Sequence, residues 1–103
     1  MPVTKRIQPG QRVAVAFSAA EKRLVLERTL ADPEYMDRLR PRTDGSGFVG
    51  EFTLGDLDDI LGYLAAEANH TENERLQQRL DKLSDRLQAI MESYDDGGWQ
   101  KAP

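Results

Sequence analysis

Two leucine-spaced segments separated by a very short connection constrain this chain more than any other feature. Leu54, Leu57, Leu61, Leu64 and Ala68 recur at intervals of 3, 4, 3 and 4, and Leu76, Leu80, Leu83, Leu87, Ile90 and Tyr94 at intervals of 4, 3, 4, 3 and 4. Such spacing keeps the apolar side chains on one side of a helix that turns once in about 3.6 residues. Thr53 with Asp56, and Thr71 with Glu74, supply capping boxes at the two starts. In each, the hydroxyl and the carboxylate satisfy backbone N–H groups that the first turn leaves free. The first helix stops around Asn69 and His70, so only about three residues connect the pair and the helices must fold back as antiparallel neighbours. The second helix, running to about Tyr94 over about 28 Å of axis, is longer than the first, and its last apolar positions are left for the rest of the chain or for a second copy.

The preceding half alternates strand and helix signals. Val13, Val15 and Phe17 fall on one side of an extended segment, and Ser18 with Glu21 forms a capping box directly after it. Leu24, Val25, Leu26 and Leu30 cannot share one narrow stripe, which predicts a helix covered on two sides. Asp32, Pro33 and Glu34 start a second, short helix, which must end by Arg40 because Pro41 disfavours helical geometry before it. Residues 43–47 read as a turn, and residues 48–52 as a second short strand. The expected fold class is therefore α+β, mainly helical, with two short strands packed with a C-terminal antiparallel helical hairpin. The expected organisation is a flexible arm over residues 1–10, a single compact domain over 11–96 and a flexible tail over 97–103.

Composition removes several functions. Cysteine is absent, so the chain has no disulfide framework and no thiolate nucleophile or metal ligand. No apolar run approaches the roughly 20 residues that span a bilayer, and no apolar stretch follows the first residues, so a cytoplasmic protein with no membrane partner is expected. The net charge of −4 is unevenly spread. Residues 1–53 carry nine basic groups against seven acidic, and residues 54–103 five against eleven. A dipolar surface of this kind favours self-association and does not suit a protein that coats nucleic acid.

Four clusters could carry chemistry. The segment Asp44-Gly45-Ser46-Gly47-Phe48-Val49 resembles the middle of a calcium-binding EF-hand loop. In that register Arg42 occupies the first position, where the family has Asp, and Thr53 the twelfth, where it has a bidentate Glu. Calcium binding is therefore not expected, and a glycine-rich turn is. Glu67 and His70 have the Glu-x-x-His spacing of di-iron helical bundles, but this is the single histidine, so two copies of the chain would have to share such a site. Asp56, Asp58 and Asp59 crowd the first turns of a helix, where the macrodipole favours negative charge. Arg38, Arg40 and Arg42, joined by Lys5 and Arg6, form the one candidate phosphate-contacting cluster.

These readings converge on a non-catalytic protein-interaction or assembly module, without cofactor, metal or catalytic residues. Its expected partners are a second copy of itself and an unidentified protein, with Leu76, Leu80, Leu83, Leu87, Ile90 and Tyr94 as the interface. A second argument also favours a dimer: two five-residue strands make a marginal sheet, and pairing their edges across a two-fold axis would double it. The alternatives are a nucleic-acid-associated regulator using the basic arm with Arg38, Arg40 and Arg42, and a metal-dependent enzyme with a dimer-shared Glu67 and His70 site. Nucleic acid is the less favoured partner, because Glu34 and Asp37 stand beside Arg38.

Overall fold

The computed structural model describes residues 4–95. Its elements are, in order, β1 (Lys5–Arg6), β2 (Val13–Phe17), α1 (Ala19–Arg28), α2 (Pro33–Asp37), β3 (Arg40–Pro41), β4 (Phe48–Phe52), α3 (Leu54–His70), α4 (Glu74–Glu92) and β5 (Tyr94–Asp95). The protein is α+β, and its C-terminal helices pack closely as a hairpin. β2 and β4 pair within the chain, antiparallel, with Val13 opposite Phe52 and Phe17 opposite Phe48. Sequence patterning missed β3, which pairs antiparallel with β4 through Arg40 and Val49 and makes β4 the central strand. The turn between β3 and β4 depends on Gly45 and Gly47 at φ 75° and 116°, where a side chain would be strained.

Strand alternation decides which residues enter the core. Val13, Val15, Phe17, Gly50 and Phe52 are buried on one side of the sheet. Ala14, Ala16, Val49 and Glu51 belong to the other side, where no residue is fully buried. In the hairpin, α3 contributes Leu54, Leu57, Ile60, Leu64 and Ala68, and α4 contributes Leu76, Leu80, Leu83, Leu87 and Met91. Ile60 thus goes deeper than Leu61, and Met91 deeper than Ile90. An α-helix drifts by about 20° per heptad against a 3.5-residue repeat, so the last seam position rotates from 90 to 91.

Other local expectations are corrected by cap geometry. Thr71 ends α3, and its hydroxyl accepts from the Asn73 N–H at 3.1 Å. Asn73 is the cap of α4, accepting from the Leu76 N–H at 3.0 Å, so the helix starts on a different residue from the one its capping-box pattern suggests. α1 is covered on one side only: Leu24 and Val25 are buried, whereas Leu26 is 40% and Leu30 88% exposed. The Thr29 hydroxyl donates to the Val25 carbonyl at 2.7 Å where α1 stops, and Leu30 leaves the helix before it can return to the buried side.

Lys5 and Arg6 pair in parallel with Tyr94 and Asp95. The Lys5 N–H donates to the Ser93 carbonyl at 2.8 Å and the Ile7 N–H to the Asp95 carbonyl at 2.9 Å, while Ile7 packs on the core. Residues 5–7 of the expected arm are therefore tied to the end of α4. The tail expected over 97–103 lies outside the described residues.

Candidate functional site

The hairpin seam is used inside the chain. Leu76, Leu80, Leu83 and Leu87 are between 0% and 5% exposed, and Ile90 and Tyr94 pack partly buried against the same core. Within this fold the first four offer almost no surface to a second copy, and helical periodicity alone does not distinguish a seam that faces α3 from one that faces a partner.

Of the three arginines of the candidate phosphate cluster, Arg40 and Arg42 line one hollow on the outer side of the sheet, and Arg38 is not part of it. Arg38 donates through Nη1 to Asp56 Oδ2 at 2.7 Å and through Nη2 to Glu34 Oε1 at 3.2 Å. Its guanidinium also lies over the Tyr35 and Phe52 rings, and the hydrogen bond to Asp56 raises its affinity for the proton. Arg42 pairs with Asp44 at 3.4 Å. Arg40 is on β3, at the outer side of the sheet opposite Val49. Two of the three are thus neutralised by carboxylates.

Among the acidic and metal candidates, Asp44, Asp56, Asp59 and His70 each have a hydrogen-bond partner, and Asp58 is exposed. Asp44 Oδ1 accepts from the Ser46 N–H at 2.9 Å and the Ser46 hydroxyl at 2.6 Å, which closes the glycine turn and holds the Asp44 carboxyl below the usual range. Asp56 closes the capping box at the start of α3, and Asp59 accepts from the Tyr35 hydroxyl at 2.7 Å. His70 Nδ1 lies 2.7 Å from the Ala66 carbonyl, which can only accept, so Nδ1 carries the proton. Glu67 and His70 sit at the end of α3, and no group of three or more potential metal ligands forms among the described residues.

A different feature is unspent. Among the described residues the strand order is β2-β4-β3, so β2 and β3 form the edges of the sheet. The β3 edge is two residues long and contains Arg40 and Pro41, both of which discourage further pairing. The β2 edge is five residues long, Val-Ala-Val-Ala-Phe, with no charge and no proline. Beside it the outer side of the sheet forms a shallow hollow of about 480 Å³ lined by Ala14, Ala16 and Val49 and by Arg40, Pro41, Arg42 and Thr43. Alternation of β-branched or aromatic with small residues was visible in the sequence. Its position at the edge was not, because the third strand, which makes β4 central, is too short to leave a pattern.

The chain matches no known protein family, no curated protein and no solved structure. No helix of the described residues is long and apolar enough to cross a membrane.

Proposed function

We propose that the protein is a non-catalytic interaction module that assembles as a two-fold homodimer by pairing β2 with β2 of a second copy. The observation that carries this reading is the β2 edge, which has no strand partner among the described residues and is the longer of the two edges of a sheet whose other edge is blunted by Arg40 and Pro41. Unpaired N–H and C=O groups along such an edge are a template for another strand, and soluble proteins ordinarily guard them with charge, proline or a bulge.

The pattern is also self-complementary. Antiparallel pairing about Val15 sets Val13 beside Phe17 of the partner subunit on the core side, and Ala14 beside Ala16 of the partner subunit on the open side. Small residues meet small ones, and two three-stranded sheets become one of six strands. Catalysis has little support: the chain has one histidine and no cysteine, and that histidine is hydrogen-bonded to its own helix.

Sedimentation equilibrium at micromolar concentration tests the proposal. The expected mass is twice 11.6 kDa. Ala14→Lys with Ala16→Lys places like charges directly across the two-fold axis and is expected to return the monomer mass with helical circular dichroism retained. A wild-type mass of 11.6 kDa sinks the reading, as does a dimer indifferent to the lysines.

A further inference from the structure

α1 and α4 are clamped at one end by Glu21 and Arg86, whose guanidinium donates to the carboxylate at 2.7 and 3.3 Å. Toward the start of α4 the same groove opens into a cavity of about 300 Å³. Arg23 and Arg28 of α1 and Arg75 and Arg79 of α4 line it, over a floor of Leu24 and Leu76. Glu27 is the one carboxylate in the lining. None of the four arginines lies within 4.0 Å of a carboxylate among the described residues, whereas Arg38, Arg42 and Arg86 each do.

We propose that this cavity binds a small phosphate-bearing ligand through Arg23, Arg28, Arg75 and Arg79. Four like charges converging on one concavity repel one another, and an anion seated among them relieves that repulsion. Guanidinium groups match phosphate oxygens with two parallel N–H donors each, so the cluster can bind a phosphoryl group from several directions. Asn73 adds a side-chain amide: its oxygen is held by the Leu76 N–H, which leaves the NH₂ group to donate.

Size and surroundings favour a small ligand over nucleic acid. The volume sits at the lower end of the range for small-molecule sites, roughly 300–1,000 Å³. Beyond the cavity α4 carries Asp81 and Asp85 beside Lys82, and the whole chain is at −4, so the positive potential is local. A long polyanion needs a basic track many phosphates in length, and this surface breaks off after one site.

Calorimetric titration of the wild-type chain with pyrophosphate and with tripolyphosphate at low salt tests the proposal, with a short DNA duplex as the third titrant. One polyphosphate per chain is expected, tripolyphosphate binding more tightly. Arg79→Gln and Arg75→Gln, both at exposed positions, should each weaken binding about tenfold or more. Arg40→Gln, on the far sheet, should leave it unchanged and controls for net charge. No binding at millimolar polyphosphate, or equal loss in Arg40→Gln, overturns the site. Tighter binding of the duplex than of tripolyphosphate, lost in the same two variants, overturns the small-ligand assignment.

Discussion

Arg38 and Asp56, 18 residues apart, join α2 to the first turn of α3 through a 2.7 Å hydrogen bond between charged groups, each side chain about one-fifth exposed. Burial alone would push the Asp56 carboxyl upward. The Thr53 N–H, donating at 3.0 Å, and the Arg38 guanidinium outweigh that and hold it below the usual carboxylate range. Since its folded value lies below the unfolded one, the stability it contributes is present at neutral pH and is lost as pH falls below about 4 toward the folded value. Asp56→Asn should cost about 1–2 kcal/mol at pH 7 and flatten the acid limb of stability against pH. Urea denaturation at a series of pH values checks this. Asp44 also titrates low, so the difference between variant and wild type is the quantity to read.

Two glycines in and beside β4 should respond differently to alanine. At Gly47, φ is 116° and an added Cβ would stand 2.8 Å from the Phe17 carbonyl oxygen, so strain and a backbone clash coincide. At Gly50, φ is not positive, and the Cβ would meet Leu39 Cδ2 at 2.7 Å and the Phe52 ring at 3.0 Å. A leucine methyl can move where a carbonyl cannot. Gly47→Ala should therefore cost about 2–3 kcal/mol and Gly50→Ala about 1 kcal/mol, read as shifts in the urea midpoint at unchanged slope.

How far the sequence could be read depends on how local each signal is. The caps at Ser18, Thr53 and Asp32 and the strands at 13–17 and 48–52 rest on neighbours within a few residues, and all of them form. β3, β1 and β5 are two residues long, with no room for alternation, and β1 and β5 exist because the two ends of the described chain meet. Charge was the least legible property. Counting by halves puts Arg75 and Arg79 in the acidic half, yet the fold sets them beside Arg23 and Arg28. Conversely Arg38, Arg40 and Arg42 are close in sequence, yet Asp56 and Glu34 engage the first while Arg40 and Arg42 line the hollow on the outer side of the sheet.

Burial separates two leucines that a hydropathy pattern treats alike. Leu87 is 0% exposed in the hairpin, and Leu30 is 88% exposed after α1. Leu87→Ala should cost about 2–5 kcal/mol through lost transfer energy and the cavity left behind. Leu30→Ala should stay within about 0.5 kcal/mol. Because Leu87 packs inside the chain, the Leu87→Ala loss should persist in the Ala14→Lys, Ala16→Lys background. Thermal unfolding of the wild type and these four variants checks both statements, and disappearance of the loss in that background would return Leu87 to the interface.

Tyr35 tests a second polar contact between α2 and α3. Its hydroxyl donates to Asp59 Oδ2 at 2.7 Å, and that hydrogen bond, followed by burial and the charges of Asp59 and Asp56, raises the phenol above the ordinary tyrosine range, with Arg38 opposing. The folded state favours the neutral phenol, so the stabilisation is complete below the unfolded value near about 10 and is lost as pH rises toward the folded one. In an alkaline titration followed by phenolate absorbance, Tyr35 should fail to ionise in the ordinary tyrosine range while the chain stays folded. Asp59→Asn removes the charge and leaves a weaker acceptor, and should move that tyrosine back toward about 10. Ordinary titration of Tyr35 in the wild type would mean that the α2–α3 contact is open in solution.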